Sequence, residues 1–71
     1  MDYISWAREY EQEAEKLIEA VKIQKKKLKS ATLEEKQQIN ADIIKLRYNY
    51  YECMLIAQHL RKRAGDRLNA A

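Results

Sequence analysis

Proline is absent from this 71-residue chain, and glycine and cysteine each occur once. Each scarcity removes a class of structure. With glycine only at position 65, nothing supplies the tight-turn chemistry that reverses β-strands, so a sheet is not expected. One cysteine, Cys53, cannot make an internal disulfide. A metal site is no better supported, since His59 is the sole histidine. Its spacing from Cys53 is roughly 240° net around a helix, so the two do not share a face. Glycine-rich phosphate loops are excluded by the same shortage of glycine. No apolar run is long enough to cross a membrane. No secretory leader is expected, because Asp2 opens the chain and no apolar stretch follows. A lone thiol fits a reducing compartment, which points to a cytoplasmic protein.

What remains is rich in Glu, Lys, Gln, Ala and Leu, a composition that favours helix. The fold expected is all-α: an antiparallel two-helix hairpin forming a single domain over residues 1–71. The first helix is placed at about 2–29, the turn at 30–32, the second helix at about 33–64, and a tail at 65–71.

Asp2 can cap the first helix by accepting from a free backbone N–H. Tyr3, Ala7, Tyr10, Ala14, Leu17, Val21, Gln24 and Leu28 then follow in alternating steps of four and three, the seam of a supercoiled helix pair. Gln24 is its one polar interruption. Thr32-Leu33-Glu34-Glu35 reads as a capping box that restarts the chain as a second helix. Ile39, Ile43, Leu46, Tyr50, Cys53, Ala57, Leu60 and Ala64 repeat the same alternation. Gly65 then suits a left-handed residue closing that helix. Folding one seam onto the other brings Tyr3 near Leu60, Ala7 near Ala57, Tyr10 near Cys53 and Val21 near Ile43.

The charges predict the same orientation independently. The start of the first helix is acidic (Glu9, Glu11, Glu13, Glu15, Glu19), and its like charges four apart repel mildly. Its end is basic (Lys22, Lys25, Lys26, Lys27, Lys29). The second helix opens with Glu34 and Glu35 and closes with Arg61, Lys62 and Arg63. Antiparallel folding sets acid beside base at both ends.

A domain this small buries little surface, and without a disulfide or metal it is expected to associate. The second helix carries another apolar stripe, Ile44, Tyr48, Tyr51 and Leu55, enlarged by Met54 and Ile56. At about 100° per residue this stripe lies far around the helix from the first seam, so one partner helix cannot cover both. Tyrosine suits an interface, since it buries area and keeps a hydroxyl for the rim. The expected outcome is a homodimer of hairpins, forming a four-helix bundle. Another helical protein in place of the second copy is the rival arrangement.

No catalytic residue, cofactor or metal is expected, because no nucleophile, base and acid stand at a useful spacing. Cys53 lies on the inner seam as a structural thiol, and His59 lies at its rim. Arg47, near the edge of the second helix's inner face, is the one base with a path toward an anion inside. Trp6, Tyr3, Tyr10, Tyr50 and Met54 are candidates for an aromatic pocket at the open end, set against ordinary core packing. The function expected is a small non-catalytic interaction module, an adaptor or regulator. The alternative is a nucleic-acid-binding regulator using Lys22, Lys25, Lys26, Lys27, Lys29, Arg61, Lys62 and Arg63, with a small-ligand sensor or enzyme built on the aromatic pocket a distant third. Against nucleic-acid binding stand a modest net charge of +3 and the ordinary preference of cations for helix C-termini. A membrane partner is not expected, because each polar face mixes acids with bases.

Overall fold

The structure, a computed structural model, describes residues 2–69, with side-chain surroundings through Asp66. It is an antiparallel helical hairpin of α1 (Tyr3–Leu28) and α2 (Leu33–Asn69). The molecule is a rod, 59 × 14 × 14 Å.

Each boundary has a local cause. Asp2 lies extended and accepts from the Ile4 amide at 3.0 Å and from the Ser5 hydroxyl at 2.7 Å, capping α1. At the far end the chain tightens before it breaks. Lys29, Ser30 and Ala31 donate to the carbonyls of Lys26, Lys27 and Leu28, each three residues back. Lys25, Lys26 and Lys27 fill this last turn, where cations oppose the negative end of the helix dipole.

The capping box then starts α2. The Glu35 amide donates to Thr32 Oγ1 at 3.3 Å, and Glu35 Oε1 accepts from both the Thr32 amide and hydroxyl. Residues 29–32 thus form the turn, within a residue of the sequence expectation.

The buried residues fall on the two seams. Ala7, Ala14 and Val21 are buried from α1, and Ile39, Ile43, Ala57 and Leu60 from α2. Ala7, Ala57 and Leu60 pack together at the open end with Tyr3 and Tyr10 against them. Val21, Ile39 and Ile43 pack near the turn with Leu28, Ala31 and Leu46. The expected pairings of Ala7 with Ala57 and of Val21 with Ile43 are present. This core is thin: among the described residues no side chain larger than alanine is fully enclosed. Cys53 holds its seam position but is only half-buried.

The end of α2 departs from expectation. The helix does not stop at Ala64. It runs through Gly65 to Asn69, and no described residue, glycine included, has positive φ. Glycine in a helix costs only about 1 kcal/mol relative to alanine, and no proline follows to enforce a stop. Residues 70–71 of the expected tail lie outside the described residues.

Two substitutions test this packing. A Cβ at Gly65 would meet nothing within 4 Å, so Gly65→Ala should raise helix content and add up to about 1 kcal/mol of stability. A left-handed Gly65 would instead make the same change destabilising. Ala57→Leu, at the close contact with Ala7, should cost about 1–3 kcal/mol in a urea melt by forcing the helices apart.

Candidate interaction surface

Four large side chains stand along α2 with no cover from α1. Ile44 is 68% exposed, Tyr48 63%, Tyr51 63% and Leu55 58%. Taking about 100° per residue, their line lies roughly 150° around α2 from the buried seam. The stripe expected from sequence is therefore outward-facing, on the side of α2 turned away from α1. The apolar residues of α1 are gathered on one side more sharply than those of α2, which serve two faces.

Local contacts hold the stripe in order. The rings of Tyr50 and Tyr51 meet edge to face with centroids 5.5 Å apart. Tyr50 sits on the seam and Tyr51 on the stripe, so this contact ties the two faces of α2 together. The Glu52 carboxylate, one turn on from Tyr48, holds that phenol above its usual pKa through its hydrogen-bonding pull and its charge.

Met54 is half-buried and lies between seam and stripe. It lines a shallow groove with Tyr50, Ala14 and Ile18, walled by Glu11, Glu15, Glu19 and Lys22. A different groove near the open end is lined by Tyr3, Trp6, Ile56, His59, Leu60 and Arg63. The aromatic pocket considered from sequence is thus divided. Trp6 and Tyr3 line one groove while Tyr50 and Met54 line another, because these residues flank the helix contact on different sides. His59 and Arg47 are exposed, and Arg47 therefore does not project into the core.

The eight cations singled out from sequence are all exposed. They do not converge. Lys25, Lys26, Lys27 and Lys29 stand at the turn, and Arg61, Lys62 and Arg63 near the opposite end of the rod. Two of the eight face acids. Lys22 Nζ donates to Glu19 Oε1 at 3.2 Å within α1. Arg61 crosses between the helices to Glu11: its Nε donates to Oε2 at 3.3 Å and its Nη2 donates to Oε1. That fork sets the acidic start of α1 against the basic end of α2, as the charge pattern requires.

Among the described residues there is no group of three or more His, Cys, Asp or Glu placed to hold a metal. No described helix is long and apolar enough to cross a membrane. No family model matches the chain, and no curated protein or solved structure is significantly similar to it.

The Glu11–Arg61 fork has a pH signature. The hydrogen bond from Arg61, aided by its charge, holds the Glu11 carboxyl below its ordinary pKa. A carboxyl depressed in the folded state adds stability above its unfolded pKa, and that stability is lost as pH falls through the folded value. The pair is partly exposed, so its contribution is small and screened by salt. Glu11→Gln should flatten the acid limb of a stability-versus-pH curve at low ionic strength. The slope contributed by Asp2, also held low by its bonds to Ser5, should remain.

Proposed function

We propose that this protein is a small non-catalytic interaction module that completes its fold by self-association. In this reading it is an intracellular adaptor or regulator, with Ile44, Tyr48, Tyr51, Leu55 and Met54 forming the contact between copies. The observation that carries the reading is the exposed stripe on the outer face of α2. Contiguous apolar surface of this kind, rimmed by charge, marks association sites.

Size and shape support it. A globular monomer of 8.5 kDa would expose about 4,700 Å² by the usual scaling. This rod exposes 5830 Å². The surplus exceeds the roughly 800 Å² that each partner gives to a standard interface. The thin, alanine-lined core needs such help, since a hairpin of this length has little burial with which to offset chain entropy.

Light scattering coupled to size exclusion, over a range of concentrations, tests the reading. The expected result is a dimer, with Tyr51→Glu raising its dissociation constant at least about tenfold while helix content is kept, because the substitution buries an unpaired charge. A monomer at every concentration would overturn the reading. Salt-sensitive retention on RNA or DNA, lost when Lys25, Lys26 and Lys27 become Gln, would move the function to nucleic acid.

A further inference from the structure

We infer that the stripe docks on the same stripe of a second copy, α2 against α2, running antiparallel about a two-fold axis between Tyr48 and Tyr51. The inference rests on the self-association proposed above and adds its polarity and register.

The stripe is self-complementary in reverse. About a centre between positions 49 and 50, Ile44 opposes Leu55 of the second copy, and Tyr48 opposes Tyr51. Every large apolar side chain of the stripe meets another, in two aliphatic layers flanking two tyrosine layers. The centre lies close to the midpoint of α2 (Leu33–Asn69), so the two helices overlap along nearly their full length. α2 also outruns α1, 37 residues against 26. Its C-terminal overhang then lies beside the turn of the second copy.

Charge selects this polarity. Around the turn, residues 16–36 hold seven lysines against three glutamates. At the open end, residues 2–15 with 55–69 hold six acids against five bases. Parallel docking sets the two strongly basic turns side by side. Antiparallel docking separates the two turns and sets the acidic start of each α2, Glu34 and Glu35, against the basic end of the other, Arg61, Lys62 and Arg63.

The residues bordering the stripe agree. In the antiparallel register Lys45 lies next to Glu52 of the second copy, and the two-fold axis repeats the pair. Farther out, Gln37 opposes Lys62. In parallel register, Glu34 would meet Glu34 and Lys62 would meet Lys62, both repulsive. Parallel docking has a favourable Arg47–Glu52 pair as well, so the border pair alone does not decide. The ends do, together with the helix dipoles, which oppose each other only in the antiparallel arrangement.

The stripe's position roughly opposite α1 also shapes the assembly. The two α2 helices form the centre, with an α1 on each outer side. The four helices lie in an open layer, and a square bundle is not formed.

Cysteine pairing tests polarity in the full chain with Cys53→Ser as background. Lys45→Cys and Glu52→Cys chains, mixed and mildly oxidised, should give the mixed 45–52 disulfide as the main cross-link. Arg47→Cys mixed with Glu52→Cys should give little, since those positions flank opposite sides of an antiparallel contact. A dominant 47–52 cross-link would show parallel docking and overturn the inference while leaving self-association intact. In cysteine-free chains, Glu52→Lys should weaken the dimer several-fold and Lys45→Glu with Glu52→Lys should restore it; no recovery would count against the register. A dimer whose mass survives Tyr51→Glu uses another surface, which overturns the inference. A monomer by light scattering removes it together with the reading beneath it.

Discussion

The close contact between Ala7 and Ala57 is the constraint on which the rest of this protein depends. Small side chains between the helices at the open end let the two backbones approach. Tyr3, Tyr10 and Leu60 then close over the contact. The same economy limits the hairpin. Alanines bury little area each, so the helix pair gains close packing without a large hydrophobic reward. Only small accessory terms are added to it: the Asp2 cap, the Thr32–Glu35 box and the solvent-screened fork between Glu11 and Arg61. Each of these is local or exposed, and none substitutes for a core.

Much of this was legible in the residues because a heptad seam is a strong signal. Alternating steps of four and three identify the same stripe whether one counts along the chain or looks at burial, and Ala7, Ala14, Val21, Ile39, Ile43, Ala57 and Leu60 lie on it without exception. The turn was legible for a different reason. Thr32 and Glu35 make two reciprocal hydrogen bonds that only a helix start requires. Charge segregation added the polarity, and Arg61 with Glu11 shows how.

What sequence misjudged has equally specific causes. Gly65 reads as a helix stop because glycine favours left-handed closure. A lone glycine cannot end a helix whose hydrogen bonding continues on both sides, however, and here its lack of a side chain serves no close approach. The aromatic pocket, which the sequence reading set below ordinary core packing, does not form because proximity at one end of a hairpin is not convergence. Trp6 and Met54 are both near the helix contact yet line different grooves. Seam residues point at each other, whereas their flanking neighbours diverge, and sequence spacing alone does not distinguish near from facing.

The outward stripe of α2 bears on the same shortage of burial. An isolated helix gains nothing by carrying apolar residues on two faces, because the second face costs solubility and adds no packing. α2 nevertheless places Ile44, Tyr48, Tyr51 and Leu55 away from α1, and the Tyr50–Tyr51 ring contact links that face to the seam. A partner pressing on Tyr51 therefore bears directly on a residue of the inner seam. In the proposed dimer, association and folding would be coupled through this contact. In the proposed dimer, a thin core and an uncovered stripe are two sides of one design: the hairpin supplies the shape of the surface, and the surface would supply the burial that the hairpin lacks.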